Sequence, residues 1–172
     1  LGGRLVRNDA ELLLAEEGAS CDLNGLFLGT GEQLIDNHTL VDHAVPHCTS
    51  SELYKGILAD RSRGVVLGRV LVRPDAQKTL ASQSNPNLLL SDGAQIDTMR
   101  QLEIYADDVK CSHGSAIGRL DPEALFYLRS RGIGANEARA LLTRGFANEV
   151  LEALPEKALA DALRARFAER LD

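Results

Sequence analysis

Up to about residue 119 the chain is a succession of short apolar runs, each cut off by Gly, Asn, Asp or Ser. Leu26-Phe27-Leu28 lies between Gly25 and Gly29, and Val65-Val66-Leu67 and Val70-Leu71-Val72 flank Gly68. Leu88-Leu89-Leu90 runs into the turn signal Ser91-Asp92-Gly93. Gln101 to Tyr105 and Asp108 to Cys111 alternate with period two, as half-buried strands do. Helix-length segments do not separate these runs, so a doubly wound sheet is disfavoured and a sandwich, a barrel or a parallel β-helix remains. The scarcity of hairpin signals leans toward the β-helix.

One segment opposes this pattern. Asn8 to Gly18 has a capping residue, good helix formers and a terminal Gly, and by propensity it is a short helix. Ser50 to Ala59 reads equally as a helical turn or a strand.

Near residue 120 the composition changes to Ala, Leu, Glu and Arg. Asp121 caps a helix with Pro122 at its first position, and Gly132 follows Arg129 and Arg131 as a stop. A second helix is expected from Asn136 to Arg144, stopped by Gly145, and a third from Phe146 to a break at Pro155. A fourth carries Leu159, Leu163, Phe167 and Leu171 as one apolar stripe. The division is therefore residues 1–119, mainly β, and residues 120–172, a small helical domain. That domain is either a cap packed on the β part or a docking surface.

Charge and cysteines narrow the function. The 172 residues carry 19 Lys and Arg against 25 Asp and Glu, a net charge of −6, which does not suit a basic nucleic-acid grip. No apolar run is long enough for a transmembrane helix. Cys21, Cys48 and Cys111 are odd in number and widely spread, which argues against a disulfide framework and for a cytoplasmic protein. P-loop, nucleophile-elbow and dinucleotide fingerprints are all absent, so no ATPase activity of its own is expected. The chain starts at Leu1 without a Met, and we read it as a fragment.

One cluster has metal chemistry. Cys111 and His113 stand two apart at the end of an alternating strand, so both side chains share a face. A thiolate and an imidazole side by side suit iron, copper or zinc. Lys110 would depress the thiol's pKa if it lay close. Two ligands do not complete a site, so others must come from elsewhere in the fold or from another chain. The plain alternative is a packed Cys and a hydrogen-bonding His. His43, His47 and Cys48 form a looser second group, with Pro46 disturbing its register.

Longer blocks are recognisable. Ala106 to Gly114 with Gly118, Asp121 and Leu125 to Gly132 resemble the C-terminal region of the SufB/SufD family. So do Val41 to Ala44, Cys48 to Ser50, Lys55 to Leu58, Gly68 to Val72, Gln77 to Thr79 and Asn87 to Leu90. The resemblance covers essentially the whole chain. It implies a right-handed parallel β-helix followed by a C-terminal helical domain, and β structure at Asn8 to Gly18.

The resemblance also implies a non-ATPase scaffold of the SUF iron–sulfur cluster assembly system. Such a scaffold pairs with its SufB-like paralogue through the β-helices and receives the SufC-like ATPase on the helical domain. The nascent cluster would form transiently at the junction, with no tightly bound cofactor in the isolated chain. The His of the Lys110-Cys111-Ser112-His113-Gly114 stretch carries over as the junction residue, His113, with Cys111 beside it. Docking of the ATPase would fall on Phe126, Arg129, Arg131 and Phe146.

The SufB branch has a Cys where Ser82-Gln83-Ser84 stands and an acidic residue where His113 stands, so the departures favour the SufD branch. The other readings are an independent metal-binding enzyme using Cys111 and His113, and the SufB paralogue itself. A homodimer of the isolated chain is also expected, because a β-helix cut at its N-terminal end exposes strand edges.

Overall fold

The computed structural model describes residues 3–170. Eight strands come first: β1 (Leu5–Leu14), β2 (Ser20–Gly29), β3 (Leu34–His43), β4 (Thr49–Leu58), β5 (Arg63–Val72), β6 (Leu80–Leu89), β7 (Gln95–Ile104) and β8 (Lys110–Gly118). Three helices follow: α1 (Pro122–Ser130), α2 (Ala135–Glu152) and α3 (Lys157–Ala168). Odd strands form one sheet in the order β1-β3-β5-β7, and even strands a second in the order β2-β4-β6-β8. Every neighbouring pair is parallel. The chain alternates between the sheets, so each pair of strands is one turn of a parallel β-solenoid. Leu5 stacks under Leu34, Leu34 under Arg63 and Arg63 under Gln95, which makes the repeat about 30 residues.

The corners repeat as well. Gly18, His47 and Lys78 hold positive φ of 76°, 61° and 63° at the same corner of three successive turns. Their N–H groups donate to the next turn: Gly18 to the Pro46 carbonyl at 3.3 Å, His47 to Gln77 at 2.9 Å and Lys78 to Asp108 at 2.6 Å. The left-handed conformation points each amide along the solenoid axis, and the stacking bond offsets its steric cost at His47 and Lys78.

One expectation from propensity changes, and one open alternative is decided for strand. Asn8 to Leu14 is strand, because β1 pairs with β3 along its whole length and the Asn8 amide donates to Asn37 Oδ1 at 2.9 Å. Long-range pairing overrides local helix preference here, as the resemblance implied. Ser50 to Leu58 belongs to β4 in the same way.

The interior alternates apolar and polar. One apolar cluster joins Phe27, Ile35, Leu58, Val66 and Ala94. At the opposite end of the strands, Leu14, Val41 and Cys48 form a second, and Val70, Val72, Ala76, Ala81 and Ala106 a third. Between them runs a belt of buried Asn37, Thr39, Glu52, Gln83, Asn85 and Asn87.

The helices sit against the outer face of the second sheet, where Leu28, Ile57 and Leu88 meet Ala147, Phe146 and Phe167. Asp121 caps α1 by accepting from the Glu123 N–H, with Pro122 at the first position. The break expected at Gly145 does not occur: α2 runs unbroken from Ala135 to Glu152. A helix-interior Gly costs about 1 kcal/mol relative to Ala, and the burial of Ala147, Val150 and Leu151 on the far side of Gly145 offsets it. On α3, Phe167 joins the seam, Leu159 stays half exposed, and Leu171 lies outside the described residues.

Candidate functional site

Register defines the site. Within the second sheet, Leu23 stacks on Glu52, Glu52 on Gln83, and Gln83 on His113. All four side chains share one face, because parallel in-register partners point the same way. That face is the interior: Glu52 and Gln83 are 4% and 3% exposed. On the first sheet, the facing row is Ala10, Thr39, Gly68 and Arg100.

The two rows meet turn by turn. In the second turn, the Thr39 hydroxyl donates to Glu52 Oε1 at 2.8 Å. In the third, Gly68 makes room for Gln83, since a Cβ there would lie 2.0 Å from Gln83 Nε2. Gln83 Nε2 donates to Glu52 Oε2 at 3.0 Å. The fourth turn places Arg100 and His113 in the same layer, where the solenoid's last strands leave the interior open. His113 is accordingly exposed, on β8 at the edge of its sheet.

Burial sets the charge states along this belt. It pushes the Glu52 carboxyl above its ordinary value of 4.5, outweighing the hydrogen bonds from Thr39 and Gln83 that favour the anion.

Cys111 lies one inward position before His113. It packs against the cluster of Val70, Val72 and Ala81, only partly reached by solvent. Burial pushes its thiol above the ordinary value, and a backbone hydrogen bond at Ala81 only partly opposes this. The help expected from Lys110 is not seen: Lys110 is exposed on the outer face of β8 and is not among the groups acting on the thiol. Cys111 and His113 do share a face, as the alternation requires, but His113 is the more open of the two.

His43, His47 and Cys48 are not brought together. The His43 ring is fully buried, with Nε2 2.9 Å from the Ser50 hydroxyl, and burial lowers its pKa. His47 is the left-handed corner residue, with its side chain exposed near Glu17 at 3.8 Å. Cys48 is buried, and its thiol donates to the Glu16 and Pro46 carbonyls at 3.4 and 3.6 Å. Among the described residues, no group of three or more His, Cys, Asp or Glu is placed to hold a metal ion.

On the helical part, Phe126 is 76% and Tyr127 56% exposed, and the Arg131 guanidinium lies 5.2 Å from the Tyr127 ring centre. Phe126, Arg129 and Ile133 line a shallow groove between α1 and α2. Phe146 stands apart from this face. It is packed in the seam, 4.3 Å under the Lys55 ammonium. Lys55, 4% exposed, donates to the Phe146 carbonyl at 2.9 Å and pairs with Glu149. Among the described residues, no helix is long and apolar enough to cross a membrane.

The sequence reading missed Glu52, Gln83, Arg100 and Lys55. Glu52, Gln83 and His113 recur at intervals of 31 and 30 residues. That spacing is a signal only once the repeat of the solenoid is known.

Comparison with known proteins agrees with this architecture. The family described as SUF system FeS cluster assembly, SufBD core domain, matches residues 1–146. The iron–sulfur cluster assembly protein SufD of Escherichia coli is 40% identical over 171 residues, covering 99% of this chain and 40% of the relative. A SufBD family protein of Synechocystis is 40% identical over 164 residues, covering 95% of this chain and 36% of the relative. The chloroplastic protein ABCI7 of Arabidopsis thaliana is 37% identical over 166 residues, covering 95% of this chain and 34% of the relative. The chain thus spans about two fifths of the length of the first of these relatives and somewhat less of the other two.

Proposed function

The chain belongs to the SufBD family of iron–sulfur cluster assembly proteins, on its SufD side, and from that premise we propose that it is a non-ATPase scaffold on which a nascent cluster is built. The observation that carries this reading is His113: an exposed imidazole at the open last turn, on an edge strand, with an incomplete ligand set around it. Imidazole is a good iron ligand when its nitrogen is neutral. A site that lacks its remaining ligands is suited to a junction where a second chain supplies them.

The paralogue is the natural second chain. β7 and β8 end the two sheets and leave their outer backbone edges unpaired within the described residues. An exposed parallel edge is a template for further strands. A SufB-like β-helix pairing there would continue both sheets and bring its own ligands to His113. The isolated chain would use the opposite edge, β1 and β2, to form a homodimer.

The ATPase would dock on α1 and the start of α2. Phe126, Tyr127 and Ile133 offer apolar contacts there, flanked by Arg129 and Arg131. Lys55 ties this domain to the second sheet, so nucleotide-driven movement of the ATPase would be transmitted through α2 to the solenoid. The cluster is cargo, held transiently, and the free cysteines are in keeping with a cytoplasmic setting.

The test is complementation. Cells lacking their own copy are supplied with the full-length protein carrying His113→Ala. The scaffold reading predicts loss of cluster-dependent enzyme activity with normal protein level. Full activity would refute the role of His113.

A further inference from the structure

We propose that Arg100 is a binding residue for the anionic sulfur that enters the cluster, facing His113 across the open last turn of the solenoid. The inference rests on the junction reading of His113 and adds a second ligand-facing group to it.

Three observations carry it. First, register fixes the place. Thr39 meets Glu52 and Gly68 meets Gln83 across the interior, and one turn further the same rows contain Arg100 and His113. Second, Arg100 Nε and Nη1 are buried and have no hydrogen-bond partner among the described residues. The Gln83 Oε1 atom of the turn below is likewise buried without a partner. Third, among the described residues no interior carboxylate neutralises the guanidinium. Glu52 lies two strand spacings from its layer, about 10 Å away, and both its oxygens are engaged by Thr39 and Gln83.

A guanidinium with two nitrogens buried and their N–H groups idle is costly to the fold. Unsatisfied polar groups persist in native proteins mainly where function uses them. Arg is always charged and presents a planar fork of donors, so the missing partner is an anion. At a site where an imidazole takes iron, the anion that the assembly of a cluster requires is sulfur, as hydrosulfide or as the terminal sulfur of a persulfide, which a dithiol reduces by two electrons to sulfide, leaving the carrier as a thiol and the dithiol as a disulfide. Arg100 would hold that charge beside the iron on His113 until the cluster closes, and Gln83 Oε1 would accept an S–H proton where one is present.

The experiment uses the full-length protein in its assembled complex, carrying Arg100→Met or Arg100→Lys. Ferrous iron and a sulfur source are added without oxygen, with sodium sulfide in one arm and a protein persulfide donor with a dithiol reductant in the other. Iron and acid-labile sulfide per complex are then measured, and thermal melting is followed in parallel. Arg100→Met is expected to lower acid-labile sulfide about tenfold, the loss of one charge-assisted hydrogen bond. Initial ferrous iron binding is expected to persist, melting to be no lower than wild type, and Arg100→Lys to restore part of the sulfide. Loss in the persulfide arm alone assigns persulfide, and loss in both assigns hydrosulfide. Wild-type sulfide in both arms overturns the proposal. So does a sulfide loss that comes with a lower melting temperature, since that marks Arg100 as structural. A His113→Ala complex that loads normally would sink the junction reading separately, because Arg100 is read by its own variants.

Discussion

The Gln83 amide donates to the Glu52 carboxyl at 3.0 Å, entirely inside the solenoid, one strand below the exposed His113. This contact joins the buried polar belt to the end of the molecule where chemistry is proposed. Its energetics are testable without any partner.

Glu52 has a folded pKa raised by burial, so its effect on stability has a defined sign. The contribution is fully present below the unfolded value of about 4.5 and is lost as pH rises through the folded value. Thermal unfolding of the full-length protein from pH 4 upward should therefore show Glu52→Gln gaining on wild type as pH increases. A constant difference across the range would contradict a raised pKa.

Gly68→Ala places a methyl group 2.0 Å from Gln83 Nε2. Gln83 must move, leaving Glu52 Oε2 without its donor. A loss of about 1–3 kcal/mol is expected, the cost of a broken buried hydrogen bond. Urea unfolding measures it, and an unchanged midpoint would show that Gln83 yields freely.

His47 occupies a left-handed corner that Gly18 occupies one turn earlier. Replacing it with Gly removes the clash between Cβ and backbone while keeping the amide bond to Gln77. His47→Gly should raise stability by about 0.5–1 kcal/mol, the steric relief less the extra chain entropy. A destabilised variant would mean that the imidazole itself holds the corner.

Lys55 fastens α2 to the second sheet through the Phe146 carbonyl and Glu149. Lys55→Met keeps much of the apolar stem but removes both bonds. Hydrogen exchange should quicken in α2 and not in β3 or β5. Uniform quickening would show that the helices and the solenoid open together, with no separable seam.

Much of this arrangement is legible locally. Asp121, Pro122 and Gly132 mark α1 because capping and helix termination use neighbouring residues. Alternation put Cys111 and His113 on one face for the same reason. Asn8 to Leu14 was misleading because its strand partner, β3, is 29 residues away in register. Gly145 misled because the burial that carries α2 through it comes from the solenoid's outer face. The belt of Glu52, Gln83 and Arg100 was invisible for the deepest reason: its members meet only after the chain has wound through whole turns. The family resemblance supplied the solenoid, and the solenoid then supplied the layer.

The central claim is that the β8 edge beside His113 is where the paralogue pairs. A photo-crosslinking amino acid placed at exposed Ser115 of the full-length protein, in cells that also make the SufB-like and SufC-like partners, reads this directly. The account predicts one dominant adduct, to the SufB-like chain. An adduct to the ATPase alone, or none from a folded protein that co-purifies with both partners, would contradict it.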